Sequence, residues 1–287
     1  LLCAATSPSQ RKASSVVDGS LAYSHVEKLV GFGPRPPGSP GIAKSQAYIT
    51  DVLKKLGLKV EHQDFLASTP NGPLSMKNIV GKTSQSGRPV VILASHYDTR
   101  PMANAAFVGA NDGGSSTGLL LELARVLSSR RNAFTVWFVF FDGEEAQRQW
   151  SETDSLYGSR YFVEKLKADG QTQAVKAMVL MDMVGDRDLK LENDGSSTPE
   201  LMEMVRKSAT DLGYGKYLAA SQKGMVDDHI PFIRAGISAV DLIDYDYGFN
   251  NSVWHTPNDT LDKISPHSLK IVGDIVVRTV ENLGQRP

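Results

Sequence analysis

From Val90 onward, short apolar segments that predict strands alternate with longer segments that predict helices. The predicted strands are residues 90–94, 134–141, 177–181 and 239–243, and the predicted helices are residues 117–127, 157–166, 199–212 and 265–283. Strands that are apolar throughout, each followed by a helix, are typical of a mostly parallel sheet covered by helices on both faces. Upstream, residues 42–56 predict a helix, and residues 58–66 and 75–80 predict an antiparallel hairpin at one edge. The sequence therefore predicts a single α/β domain.

The predicted domain covers residues 21–287 and follows a small, polar segment at residues 1–20, which we expect to be a disordered leader or spacer. Leu1-Leu2-Cys3-Ala4 matches the end of a bacterial lipoprotein signal, so Cys3 is a candidate lipid anchor; the alternative is a remnant of the expression sequence. We expect no membrane span, because the longest apolar stretch, residues 136–141, is far shorter than the ~20 residues of a spanning helix. These features favour a periplasmic or secreted protein.

The charge balance excludes some classes of partner. The chain has 31 basic and 32 acidic side chains, a net charge of −1, so it lacks the global basic field that holds nucleic acid. Its single cysteine excludes an internal disulfide and a cysteine-rich metal cluster. We expect a monomer that binds no nucleic acid.

Acidic and imidazole side chains follow the predicted strands where the strands end. The carboxyl ends of parallel strands lie at one edge of a sheet, and open α/β sheets bind their ligands there. A glycine-rich loop at residues 109–114 can turn Asp112 toward the same edge. The residues that we expect to converge are His96, Asp98, Asp112, Asp142, Glu144, Glu145, Asp182, Asp244 and His255.

Such a cluster predicts a metal centre, because carboxylates crowded into one cleft repel one another without a cation. Oxygen and imidazole ligands together suit zinc, and three protein ligands with one open position are typical of a catalytic zinc site. Glu144 and Glu145 are adjacent and cannot both point the same way from an extended segment, so one can bind metal while the other acts as a base. Asp98, two residues after His96, is placed to orient that imidazole through its second nitrogen.

Each motif taken singly has a commoner interpretation. A His-x-Asp pair is usually a surface pair, residues 142–145 could be a solvated turn, and His255 could be a packed core histidine. Residues 227–229 (Asp-Asp-His) could be the acidic first turn of a helix. The motifs predict a site because they occur together at one edge of the sheet.

These residues, in this order, resemble the zinc aminopeptidase superfamily and, within it, the animal-type glutaminyl-peptide cyclotransferases, with this chain a bacterial member. The resemblance extends from about Arg35 to the end of the chain. Aminopeptidases share the Glu144-Glu145 pair, whereas Trp150 and residues 154–160 (DSLYGSR) are cyclase features. The other matching segments are residues 35–41, 95–98, 107–112, 180–185, 227–232 and 253–256.

The resemblance implies a metal site and catalytic residues. One zinc ion would be held by Asp112, Glu145 and His255. Glu144 would be the proton shuttle, beside a hydrogen-bonded carboxylate pair formed by Asp182 and Asp227. Trp150 and Trp254 would form the walls of the substrate pocket. His96 would bind no metal in a cyclase, whereas in an aminopeptidase it would hold a second zinc together with Asp182.

The chain departs from the cyclase pattern in three places. Val226 stands where the cyclases have a glutamine that helps to hold substrate, residues 112–118 look more like the peptidases, and residues 244–252 form a longer and more acidic loop. These departures concern substrate recognition more than metal binding.

The activity implied by the resemblance is conversion of the N-terminal glutamine of peptides or proteins to pyroglutamate, with release of ammonia. The alternative is a zinc aminopeptidase that removes N-terminal residues with two zinc ions. A third hypothesis, a non-catalytic zinc-binding or peptide-binding module, is disfavoured by Glu144, since a structural metal site needs no free base beside it.

Overall fold

The computed structural model describes residues 16–84, 87–103 and 106–285. The strands are β1 (Lys59–Thr69), β2 (Gly72–Lys82), β3 (Val90–His96), β4 (Thr135–Phe141), β5 (Val175–Asp182), β6 (Leu191–Asp194), β7 (Leu218–Lys223) and β8 (Ala239–Ile243). The α-helices are α1 (Gly19–Val30), α2 (Pro40–Lys55), α3 (Gly114–Ser128), α4 (Tyr157–Ala168), α5 (Pro199–Asp211), α6 (Ile230–Arg234) and α7 (Pro266–Leu283).

Six strands form the central sheet in the order β1-β2-β4-β3-β5-β8. β3 pairs in parallel with both β4 and β5, and β5 pairs in parallel with β8. β2 pairs antiparallel with β4 and with β1, so the hairpin lies at one edge. The predicted fold, a mostly parallel sheet with an antiparallel edge hairpin, is confirmed.

The strands alternate their apolar side chains between two cores, one on each face of the sheet. Val91 and Leu93 of β3 belong to the core beneath α1, α2, α3, α5 and α7, whereas Ile92 and Ala94 belong to the core beneath α4 and α6. All seven residues of β3 are buried. Because both faces are covered, the central strands must be apolar throughout, and the sequence shows that pattern.

Residues just before α1 pack against the rest of the protein. Val17 is buried in the core, and Asp18 caps α1 by accepting hydrogen bonds from the main-chain N–H groups of Ser20 and Leu21. The main-chain N–H of Asp18 donates to Glu122 of α3 at 2.8 Å. One apolar side chain and one capping carboxylate therefore tie residues 17 and 18 to the helices that follow, while the domain boundary at residue 21 stays a prediction. Residues 1–15 of the predicted leader, including Cys3, lie outside the described residues.

β6, β7 and the short α6 were also not predicted. β6 and β7 form a small parallel sheet of their own, and all but one of the residues of β7 are partly or fully exposed, so no apolar pattern marks that strand. None of the helices in the described part of the chain combines the length and apolar character of a membrane span. The monomeric state and the periplasmic or secreted location stay predictions.

Candidate active site

A cavity of about 530 Å³ opens at the carboxyl edge of the parallel strands. The predicted site residues that line it are Asp112, Glu144, Glu145, Trp150, Asp182, Asp227, Trp254 and His255. His96 lies just beneath the floor and is 1% exposed. The structure thus brings together residues from five separate loops and strand ends, as the topology of a parallel sheet predicts.

One group of three side chains in this cavity has the geometry of a metal site. Asp112, Glu145 and His255 each offer a ligand atom, and these atoms lie within 4.8 Å of one another. Nε2 of His255 is 3.2 Å from Oδ2 of Asp112 and 3.1 Å from Oε1 of Glu145. Ligand atoms 2.0–2.2 Å from a tetrahedral zinc lie roughly 3.4 Å apart, close to these separations. The three residues therefore fit a zinc ion in size and in donor type.

The unpaired atoms of these residues support the same conclusion. Oδ2 of Asp112 and Oε1 of Glu145 are buried, and neither has a hydrogen-bond partner among the described residues. Burial, together with the charge of Asp112, raises the pKa of Glu145 to about 7. Burial alone would lower the pKa of His255, but Asp112 and Glu145 raise it to about 9. The two carboxylates therefore stabilise a positive charge at the point they face, which a metal ion would supply.

His255 is held by its surroundings in a fixed orientation. Trp254 stacks on its ring at a centroid distance of 3.9 Å, and Phe107 packs edge-on at 5.9 Å. Arg100 donates a hydrogen bond to Nδ1 at 2.6 Å. Two aromatic side chains and this contact at Nδ1 thus hold the ring with Nε2 directed at Asp112 and Glu145.

A second group, His96, Asp112 and Asp182, also offers ligand atoms within 4.8 Å of one another. Nε2 of His96 is 3.0 Å from Oδ1 of Asp182 and 3.4 Å from Oδ1 of Asp112. Asp112 thus turns one oxygen toward His96 and the other toward His255. This is the arrangement of a carboxylate that can bridge two cations.

Glu144 is positioned as a base next to both groups. It is 6% exposed, lines the cavity, and lies 3.8 Å from Nδ1 of His96. Burial raises its pKa well above the usual range, with His96 opposing and Asp227 adding to the increase. Burial and the charge of Asp182 raise the pKa of Asp227 to about 7. Burial raises the pKa of Asp182 as well, although His96 opposes it. Each of these three carboxyl groups thus holds a proton more readily than an exposed carboxyl does, which suits proton exchange in the cavity.

Asp98 acts mainly on the main chain rather than on His96. Its carboxylate lies 3.4 Å from Nδ1 of His96, but that nitrogen has no hydrogen-bond partner among the described residues. Its two oxygens accept hydrogen bonds from the main-chain N–H groups of Glu144, at 3.2 Å, and Glu145, at 3.3 Å. Asp98 therefore positions the Glu144-Glu145 segment, and it also lies at ion-pair distance from the His96 ring that it is expected to orient.

Asp259 was not predicted from the sequence, and it positions the loop that carries Asp112. Its carboxylate accepts hydrogen bonds from the main-chain N–H groups of Asn111, at 2.8 Å, and Asp112, at 3.1 Å, and from the hydroxyl of Tyr247, at 2.7 Å. Asp259 lies four residues beyond His255, so it joins the two loops that carry the candidate metal ligands Asp112 and His255. The sequence signal that could have identified Asp259 is its position close to His255, a candidate metal ligand.

Arg35 ties the segment that follows β3 to the loop that leads to Asp112. Its buried guanidinium donates to the main-chain carbonyls of Tyr97, Val108 and Gly109 at 3.0, 2.6 and 3.0 Å.

Gly113, directly after Asp112, has a φ of 71°, and a Cβ there would lie 2.7 Å from the carbonyl oxygen of Asp98. The loop therefore needs glycine at this position to turn Asp112 into the cavity.

The loop that carries Trp150 is held by Asp154. The Asp154 carboxylate accepts hydrogen bonds from the main-chain N–H groups of residues 147, 148 and 149, at 2.8 to 2.9 Å, and from the hydroxyl of Tyr157. Trp150 is 40% exposed at the mouth of the cavity. Its backbone is thus fixed although its ring faces solvent.

Comparison with known proteins gives consistent matches. The model of peptidase family M28 matches residues 78–280. The glutaminyl-peptide cyclotransferase-like protein of Bos taurus is 31% identical over 96% of this chain and 83% of that protein. The crystal structure of an Acidobacteriales bacterium glutaminyl cyclase is 39% identical, with a TM-score of 0.92 over 99% of this chain and 100% of that one. A zinc-dependent exopeptidase from Parabacteroides distasonis is 28% identical, with a TM-score of 0.85 over 96% of this chain and all of that one.

Proposed function

This chain belongs to peptidase family M28, and we propose that it is the glutaminyl-peptide cyclotransferase type of that family, converting N-terminal glutamine of peptides or proteins to pyroglutamate with release of ammonia. The observation that carries this function is its likeness, over nearly its whole length, to a bacterial glutaminyl cyclase. The enzyme is thus an acyltransferase, whose acyl group is the side-chain carbonyl of glutamine and whose acceptor is the α-amine of the same residue.

Asp112, Glu145 and His255 would hold one zinc ion. Their fit rests on the short distances between their ligand atoms and on the two carboxylate oxygens without partners. When bound, zinc would polarise the side-chain carbonyl of the substrate glutamine.

Glu144 is the residue that we assign to proton transfer. In cyclisation, a bond forms between the α-nitrogen and the side-chain carbonyl carbon, and the bond from that carbon to the amide nitrogen breaks. Glu144 would take the proton that the amine loses and return it to the leaving nitrogen, so that ammonia departs. A raised pKa makes the Glu144 carboxylate a stronger base than an exposed carboxylate, which favours its taking the proton from the amine.

Asp182 and Asp227 would support this exchange from the cavity wall. Both are buried beside Glu144, and the pKa of each is raised by burial. As a substrate enters with its α-amine protonated, this acidic wall would bind the ammonium group and accept its extra proton. Asp182 is at the same time 3.0 Å from His96, which limits its freedom to rotate.

Trp150 and Trp254 would hold the glutamine in the folded shape that cyclisation requires. Trp254 is fixed against His255, and Trp150 stands on a loop held by Asp154. Since the nucleophile and the carbonyl are in one molecule, a pocket that keeps them together and excludes water can supply much of the roughly 7–11 kcal/mol available from proximity.

An aminopeptidase is the second candidate function, and the group formed by His96, Asp112 and Asp182 favours it. If His96, Asp112 and Asp182 held a second metal ion, Glu144 would take a proton from an attacking water instead of from the substrate amine. The likeness to an exopeptidase of the same fold is consistent with this alternative. The two activities share the base and differ in the nucleophile.

The deciding experiment is mass spectrometry of a glutamine-initiated peptide after incubation with zinc-loaded protein. We expect loss of one ammonia, which a chelator and Glu144→Gln both abolish. Glu144→Gln should keep its zinc, whereas Glu145→Gln should lose it, as measured by metal analysis after dialysis. Glu164→Gln is the matched control, because that carboxylate is 71% exposed on α4.

Removal of the whole first residue from the peptide would refute the cyclase function and support the aminopeptidase function. An unchanged mass for every glutamine-initiated peptide would overturn both functions.

A further inference from the structure

The hairpin of β1 and β2 extends beyond the central sheet on the side of the active site. The pairing of β2 with β4 runs from Ile79, opposite Phe140, to Lys82. Since these two strands are antiparallel, residues 72–77 of β2 continue past the carboxyl end of β4, together with their partners in β1. At ~3.3 Å per residue this projection is about 20 Å long. The tip of the hairpin therefore lies beyond the same sheet edge that carries the candidate metal ligands.

The projecting part of the hairpin is held by one face of α4. Ala67 and Met76 form a small core with Tyr157 of that helix, and Phe65 packs against this core. Phe65 also stacks on Tyr161, with ring centroids 4.4 Å apart and an angle of 10° between the planes. An isolated two-stranded hairpin is only marginally stable, whereas one that packs against a helix keeps its place. The tip can therefore serve as a fixed support for a neighbouring loop.

The turn at the tip fixes the backbone of Asn71. The hydroxyl of Thr69 donates a hydrogen bond to the carbonyl of Gly72 at 2.7 Å and accepts one from the main-chain N–H of Asn71 at 3.1 Å. Gly72 has a φ of 100°, in a region that residues with a side chain rarely adopt. The side chain of Asn71 therefore starts from a fixed position at the end of the hairpin.

The carboxamide of Asn71 makes two hydrogen bonds to the loop that carries Trp150. Its Nδ2 donates to the main-chain carbonyl of Gln147 at 3.3 Å, and its Oδ1 accepts from Nε of Arg148 at 2.5 Å. Asp154 accepts hydrogen bonds from the main-chain N–H groups of the same two loop residues. The segment just before Trp150 is thus held through its N–H groups by Asp154 and through a carbonyl and a side chain by Asn71.

The place of Trp150 depends on this segment. Trp150 lines the cavity but is 40% exposed, so packing of its ring fixes it only in part. Asn71 does not itself line the cavity, so it can affect a substrate there only through the loop. When only a fraction of the molecules has the loop in the place that binds substrate, the apparent affinity falls in proportion to that fraction.

Resting on the proposed function, we infer that Asn71, at the tip of the hairpin, is a positioning residue for Trp150. It keeps residues 147–150 where Trp150 forms a wall of the substrate pocket. The strands that carry the hairpin are remote from the reacting atoms, and the contact acts before the chemical step.

The test measures ammonia release from a glutamine-initiated peptide by the unaltered enzyme and by Asn71→Ala. We expect KM to rise about fivefold, which corresponds to about 1 kcal/mol, the net contribution of one hydrogen bond. The value of kcat should change by less than about twofold, because saturating substrate restores the loop to its place. A residue that served the fold alone would lower the temperature of unfolding and leave KM unchanged.

A second measurement follows the loop without substrate. Amide hydrogen exchange of residues 147–149, detected by mass spectrometry, should be about fivefold faster in Asn71→Ala, because opening of the loop exposes the N–H groups that Asp154 holds. Asn282→Ala is the matched control. Its carboxamide donates to the hydroxyl of Ser208 at 3.0 Å on the helical side of the protein, and it does not line the cavity. This control should change neither KM nor the exchange of residues 147–149.

Three outcomes overturn the inference or its premise. An unchanged KM in Asn71→Ala, with ammonia still released, would refute the positioning role and leave the proposed function intact. Exchange that is faster throughout the protein, and not more so at residues 147–149, would show a general loss of stability and would also refute it. Absence of ammonia from every glutamine-initiated peptide with the unaltered enzyme would refute the proposed function instead, and the exchange experiment would still test the link between Asn71 and the loop.

Discussion

Asp259→Asn is the most direct test of how this site is assembled. The Asp259 carboxylate accepts from the main-chain N–H groups of Asn111 and Asp112 and from Tyr247. One oxygen of the aspartate accepts from both the N–H of Asn111 and the hydroxyl of Tyr247, and the other oxygen accepts from the N–H of Asp112. An asparagine of the same shape keeps one acceptor oxygen, which can serve the first two donors. The new NH₂ group then faces the N–H of Asp112, so a buried donor on the proposed metal ligand loses its acceptor.

The expected loss of zinc affinity follows from the N–H of Asp112, which has lost its acceptor. Leaving a buried hydrogen-bonding group unsatisfied costs about 1–3 kcal/mol. If the Asp112 loop shifts to relieve this cost, the loss appears in metal affinity, and about 1.4 kcal/mol corresponds to a tenfold change in Kd. We therefore expect zinc to bind about 5- to 150-fold more weakly, in line with the 10- to 100-fold effects of residues that orient metal ligands.

The assay is a competition titration of the metal-free protein against a chromophoric zinc chelator. Thermal unfolding of the metal-free variant shows whether the fold is retained. Asp262→Asn is the matched control, since that carboxylate is 67% exposed and bonds to its neighbours Thr260 and Lys263. A folded Asp259→Asn protein that binds zinc as tightly as the control would refute the argument, because the Asp112 loop would then be held by other contacts.

Three further changes test the surrounding structure. Arg35→Lys should lower the free energy of unfolding by about 2–5 kcal/mol in urea titrations, because an ammonium cannot reach three main-chain carbonyls at once; a loss under about 1 kcal/mol would contradict this. Burial, with the charge of Asp98, raises the pKa of Asp142 to about 8, so the folded protein keeps a proton that the unfolded chain releases. Its contribution to stability is complete below about pH 4 and is lost, by up to about 1.4 kcal/mol per pH unit, as the pH rises toward 8. Asp142→Asn, which imitates the protonated group, should flatten that profile, and an unchanged slope would show that Asp142 is ionised when folded. Trp254→Leu should raise KM for a glutamine peptide about tenfold without loss of bound zinc, since the ring lines the cavity beside His255; an unchanged KM would remove Trp254 from the pocket wall.

The central sheet could be predicted from the sequence because each of its parallel strands is buried on both faces. The predicted strand at residues 239–243 coincides with β8, and the predicted helix at residues 157–166 differs from α4 only at its end. Where such a strand stops, the first polar residue must lie at the edge of the sheet. His96 and Asp182 end β3 and β5, and their side chains are 3.0 Å apart in the structure.

The outer part of the site could not be predicted in the same way. β7 is mostly exposed and pairs only with β6 among the described strands, so its sequence carries neither a period of two nor an apolar run. α1 escaped prediction because the segment before it is rich in small polar residues, although Asp18 supplies its cap. The cavity residues that follow β7 thus lie in a segment with a weak sequence pattern.

The buried acids of this site perform two different tasks that the sequence cannot separate. Asp98 and Asp259 accept hydrogen bonds from main-chain N–H groups, and those bonds fix the segments that carry Glu145 and Asp112. Asp112 and Glu145 instead leave an oxygen unpaired toward a common point. All four are acids in loops or at strand ends, and all are buried, so residue type and position are the same for both tasks. What separates them is whether a main-chain donor lies within reach, and that depends on how distant loops meet. Because Asp98 and Asp259 use both of their oxygens on hydrogen bonds, Asp112 and Glu145 are the members of this group of four that remain able to bind a metal.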